Sequence, residues 1–192
     1  MRQIRRFWPA GSPIPRHAGG ALATRSSDSA SWEPLARERR AELSDGHLIV
    51  VTGVGRVDAY FSDAATRPAT VVNLAFEAPL RAELTIADMT EEDLWDLWEH
   101  PEITFEDPVF DDALLVRGVE HFARSVLSAE CRAALLELRL ACDHLRIDRE
   151  RLTVMVLGSR IRAPRLSALL DLVEAAGRHL LPGKQRKDRA YR

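Results

Sequence analysis

The chain is predicted to be α+β: an antiparallel four-stranded meander followed by a helix-rich region with a further β-hairpin and a long C-terminal helix. Three observations predict it. Four runs of period-two alternation lie between His47 and Ile86, separated by turn residues. Helical spacing takes over at Thr90, and its clearest stripe runs from Arg165 to Leu181. Strands and helices come in blocks, without the sustained β-α-β alternation of a parallel sheet.

Each element has a local reason. Ser31-Trp32-Glu33-Pro34-Leu35-Ala36 opens a short helix that Arg37 to Glu42 continue, because Ser31 is a capping residue and Pro34 is tolerated in a first turn. His47 to Thr52 is a compact apolar run ended by Gly53-Val54-Gly55. Arg56 to Phe61, Val72 to Glu77 and Arg81 to Ile86 alternate strictly, the pattern of antiparallel strands with one wet face. Thr90 with Asp93 resembles a capping box, Met89 can staple onto Leu94, and Leu94, Leu97 and Trp98 form a stripe with Trp95 at its edge. Pro101 stops that helix after His100.

Ala113 to Val116 is a short strand ended at Gly118. Val119, Phe122, Ala123 and Val126 then share a helical face. Ser128 caps the next helix, whose face is Cys131, Ala134, Leu135 and Leu138. Leu145 and Ile147 alternate, and Leu152, Val154 and Val156 follow across a turn at Asp148-Arg149-Glu150. Leu166, Leu169, Leu170, Val173, Ala176 and Leu180 make the final stripe.

These elements predict one α+β domain over residues 31–182, mainly β in 31–105 and mainly α in 106–182. Residues 1–30, rich in Pro, Gly and Ser, are expected to be a disordered tail, and 183–192 a short basic tail. The tail after Gly183 carries Lys184, Arg186, Lys187, Arg189 and Arg192 and holds both lysines of the chain. With 192 residues, 46% hydrophobic and 29% charged, the chain can bury a core without disulfides or metals. A formal net charge of −2 argues against a general nucleic-acid binder. There is no apolar run of about 18 residues, hence no predicted transmembrane helix, and no apolar segment follows Arg2, Arg5 and Arg6 as a secretory signal requires. A cytoplasmic location is expected.

Trp32-x-x-Leu35-Ala36, Gly53-x-Gly55-x-Val57, Ala78-Pro79-Leu80, Asp107-Pro108-x-Phe110-Asp111 and Leu115-Val116-x-Gly118 occur in that order. In this the chain resembles a broad group of uncharacterised bacterial proteins, in which an Asp-Pro-x-Phe-Asp segment lies between a small sheet domain and a helix-rich C-terminal region. Leu127, Arg132 and Leu135-Leu136 fit the helix that follows in that group. The resemblance covers residues 31 to 181 and implies a fold without an assigned activity. One position departs from it: a glycine is expected before the Asp-Pro, and this chain has Glu106.

Candidate chemistry is sparse. Gly53-Val54-Gly55 lacks the third glycine and the following helix of a dinucleotide loop, so a hairpin turn is expected. His121, Asp112 and Ser128 include the residue types of a hydrolase triad, but Gly-x-Ser-x-Gly is absent and Ser128 has a simpler role as a cap. Cys131 and Cys142 lie eleven residues apart on one predicted helix, about 16 Å in rise, and cannot bridge there. His144, two residues from Cys142, has no ligand spacing and is expected to meet a carbonyl or the helix dipole. No catalytic, cofactor-binding or metal-ligating residue is predicted.

The strongest compositional feature is acidic. Twelve carboxylates lie between Glu83 and Asp112, with no Lys or Arg between Arg81 and Arg117 and no glycine for a calcium loop. Such a stretch is either a solvated face or a docking surface for a basic protein. Trp95, Glu99, Glu102 and Glu106 are the candidate interaction residues. The expected function is that of a non-catalytic accessory or protein-interaction protein, without cofactor, nucleic acid or membrane. The alternative is a small-molecule-binding domain or a hydrolase whose site is assembled from residues distant in sequence; a deep apolar pocket with convergent polar groups would favour it.

Overall fold

A computed structural model describes residues 32–63, 67–88, 101–158 and 160–181. In chain order the elements are α1 (Glu33–Arg39), β1 (Glu42–Ser44), β2 (His47–Val51), β3 (Gly55–Ser62), β4 (Ala69–Phe76) and β5 (Leu84–Ala87). There follow α2 (Pro108–Ala113), β6 (Leu115–Gly118), α3 (Glu120–Val126), α4 (Ala129–Ala141), β7 (His144–Ile147), β8 (Arg151–Leu157) and α5 (Ala163–Leu180). The expected tails and the helix expected after Thr90 lie outside the described residues.

The eight strands form one antiparallel sheet in the order β1-β2-β3-β4-β8-β7-β5-β6. This corrects the expectation of a four-stranded meander followed by a separate hairpin. β2, β3 and β4 are consecutive neighbours, as alternation predicts, but the fourth run does not pair with β4. That place is taken by β8, whose partners run from Ala69↔Leu157 to Ala75↔Arg151. The loop after β4 shows how the chain is diverted. The Phe76 N–H donates to Glu150 O and the Leu80 N–H to Arg149 O, at 2.9 and 2.8 Å, while Arg149 Nε donates to Leu80 O. The loop is thereby fastened to the β7–β8 turn, and the chain passes across the end of that hairpin to form β5 on its far side, between β7 and β6.

Two further elements were not expected. Arg40 takes a left-handed conformation (φ 52°) and ends α1 at Arg39, three residues before the expected end at Glu42. Glu42–Ser44 then forms β1, joined to β2 through Asp45 and Gly46, both at positive φ (50° and 82°), which is the sign of a type I′ hairpin turn. Asp107-Pro108 opens α2: Asp107 caps it by accepting from the Phe110 N–H at 3.3 Å, and Pro108 occupies the first turn.

Register places Val57, Leu74, Leu152, Ile147, Ile86 and Val116 in one row on one face of the sheet. All six are buried, and they join a single apolar cluster with residues of all five described helices. Every residue of the predicted final stripe, Leu166, Leu169, Leu170, Val173, Ala176 and Leu180, is buried in α5. Trp32 ties α1 to the start of α5: its indole N–H donates to Ile161 O at 2.9 Å, and the Arg160 guanidinium lies 4.0 Å over its ring. Gly53-Val54-Gly55 is a hairpin turn closed by the Thr52 N–H donating to Gly55 O. Gly55 is there because a Cβ would stand 2.0 Å from Ala75 O on the paired strand.

Candidate functional site

The segment holding the proposed interaction residues is only partly in view. Trp95 and Glu99 fall outside the described residues. Glu102 is half-buried; burial pushes its carboxyl above the ordinary value, nearby Asp111 adds to the rise, and Arg117 opposes it. Glu106 is exposed and takes a left-handed backbone conformation, φ 57°. That conformation favours glycine, since a Cβ is disfavoured there.

Around Glu106 the Asp-Pro-x-Phe-Asp segment is a closed hydrogen-bonding unit. Asp111 turns back so that its carboxylate accepts from the N–H groups of Phe105 and Asp107, at 3.0 and 3.1 Å. Arg132, from α4, donates to Asp107 Oδ2 at 3.0 Å and to Leu127 O at 3.0 Å. Its guanidinium also lies 5.4 Å over the Phe105 ring and 6.0 Å over Phe110. The motif thus fastens the chain ahead of α2 to α4.

Other acids of the segment meet arginines brought from elsewhere. Asp88 contacts Arg139 Nε at 2.6 Å and His144 Nδ1 at 3.3 Å, and accepts from the Leu145 N–H. Glu83 meets Arg149 at 3.3 Å. A stretch with no cation in sequence is therefore interleaved with cations in space. His144 meets a carboxylate here, in place of the carbonyl or helix dipole expected for it.

The residues of the weighed triad have other roles. Ser128 Oγ accepts from the Cys131 N–H at 3.3 Å as the cap of α4, while Asp112 and His121 are exposed. Cys131 and Cys142 are buried and unbridged. Burial pushes both thiols up to about 12, so neither is a thiolate nucleophile near neutral pH.

Alternation alone did not single out one further constellation. On the sheet face opposite the core cluster, His47 Nδ1 and Asp58 Oδ1 lie 2.9 Å apart, and the imidazole stacks on Tyr60 with centroids 4.8 Å apart. Burial raises the Tyr60 hydroxyl; a hydrogen bond with Asn73 lowers it, and Asp58 raises it further. Asn73 Oδ1 accepts from Thr153 Oγ1 at 2.8 Å across the β4–β8 pair. Asp58, Asn73 and Thr153 share a register row, and His47 and Tyr60 flank it, so polar side chains from β2, β3, β4 and β8 form one patch. The sequence signal was present, because these residues occupy the wet positions of the alternating runs. Their adjacency needed the register. Chemically the patch offers hydrogen bonds, with Tyr60 a protonated donor at neutral pH.

Two surface grooves lie away from these side chains. One, about 480 Å³, lies between α1 and α5 and is lined by Pro34, Leu35, Glu38, Pro164, Ala168 and Asp171, among others. The second, about 430 Å³, lies at the ends of β2, β3 and β4 beside Val51, Arg56 and Phe76. Both are open depressions. Among the described residues there is no cluster of potential metal ligands, and no helix is long and apolar enough to cross a membrane.

No protein-family model and no curated protein matches the chain. A solved structure does: the crystal structure of the mycobacterial trehalose monomycolate transport factor A, TtfA. It superposes with a TM-score of 0.50 at 10% sequence identity, over 73% of this chain and 72% of that one. The likeness is one of fold. It supports an α+β architecture for the greater part of the chain.

Proposed function

We propose that this is a non-catalytic bacterial interaction protein, cytoplasmic, whose folded body receives a basic protein partner. The observation that carries the reading is the distribution of charge. Residues 32–181 contain 27 carboxylates against 17 arginines, a formal charge of −10. The flanking segments 1–31 and 182–192 each hold five basic residues and one acid, which hides the imbalance in a chain total of −2. A body of that charge attracts a basic surface and speeds encounter. Among the acids of the segment, Glu106 and Asp112 are exposed, whereas Asp88, Asp107 and Asp111 are engaged in holding the fold.

The chemistry of the buried thiols and the cap role of Ser128 support the non-catalytic part of the reading. The alternative, ligand binding or hydrolysis, draws its support from the His47–Asp58 pair. There the neighbouring hydroxyl is a phenol held in its protonated form.

The test uses a polyarginine peptide as probe and the full chain. Association is expected to slow severalfold between low and physiological salt, because exposed charges are screened over about 8–10 Å. Reversing Glu99, Glu102 and Glu106 together to Lys is expected to slow it further at low salt while leaving the melting temperature nearly unchanged. The Lys at position 106 inherits the same backbone conformation as Glu, so that comparison is like for like. Rates independent of both salt and charge reversal would overturn the reading.

A further inference from the structure

We draw no further inference here: the strongest candidate, the shallow groove between α1 and α5, has one of its two lining carboxylates, Asp171, paired with Arg39 at 2.8 Å, and nothing in the structure shows what covers it.

Discussion

At the scale of single residues, Glu106 stands out because its side chain and its backbone are at odds. A left-handed conformation costs a residue with a Cβ about 1–2 kcal/mol, and glycine avoids most of that while bringing a larger unfolded-state entropy. Glu106→Gly is therefore expected to stabilise the protein by about 0.5–1 kcal/mol, seen as a higher denaturant midpoint at unchanged slope. A lower midpoint would mean that the Glu106 side chain holds the turn by a contact of its own. The buried thiols give a second expectation, with a definite sign. In the unfolded chain they ionise near their ordinary value of 9.0, and in the folded chain at about 12. Their contribution is fully present below about pH 9 and is lost as the pH rises from 9 towards 12. The native protein should lose stability over that window more steeply than a Cys131→Ala, Cys142→Ala double variant, measured by urea unfolding at stepped pH. Parallel curves would contradict the buried environment of the two sulfurs.

At the scale of elements, α5 is where sequence pattern and structure agree most closely. Its six stripe residues are all buried, and Gly177 approaches the sheet so closely that a Cβ would stand 2.6 Å from Leu74 Cδ2. Truncating Leu169 or Leu170 to Ala is expected to cost about 2–5 kcal/mol, a large share of a domain's stability. Thermal unfolding of the purified variants checks this, and near-neutral behaviour of both would place the helix outside the core. Other elements carry local signals that do not settle their place. Asp45-Gly46 is a strong hairpin signal and Asp107-Pro108 a helix start, but a helix expected to reach Glu42 leaves no strand for that turn to join, and a six-residue helix is too short to show a periodic stripe. The strand after Pro79 forms as its alternation predicts but pairs with β6 and β7 instead of β4, because period two reports a wet and a dry face and says nothing about which edge a strand joins.

At the scale of the whole molecule, the β4–β8 pair is the seam that joins the two halves of the chain. It brings residues 69–75 against residues 151–157 at seven register positions. Pairings of such sequence separation form only after a large loop-closure cost, so they become protected together with the global fold. Hydrogen exchange should find the β4 and β8 amides opening only by global unfolding, and β1 amides opening earlier, because that edge strand has three residues. Exchange of β8 well ahead of β3 would show that the seam is a late, separable addition. The continuous core cluster leads to the same expectation of a single cooperative transition.

The sequence by itself determined what depends on neighbours a few residues apart: the β2–β3 and β7–β8 hairpins, the cap at Ser128, the face of α5, the inability of Cys131 and Cys142 to bridge, and the segregation of charge between body and flanks. Only the tertiary structure decided that eight strands make one sheet, that the glycine-favouring position at Glu106 lies inside the Asp107–Asp111–Arg132 unit, that acids without a local cation meet Arg132, Arg139 and Arg149, and that His47, Asp58, Tyr60, Asn73 and Thr153 share one patch of a sheet face. The reason is the range of the forces. Propensity, capping and periodicity act over one or two turns of chain, whereas strand order and ion pairing depend on which distant segments bury the most apolar surface together, and that comparison is made only when the whole core forms.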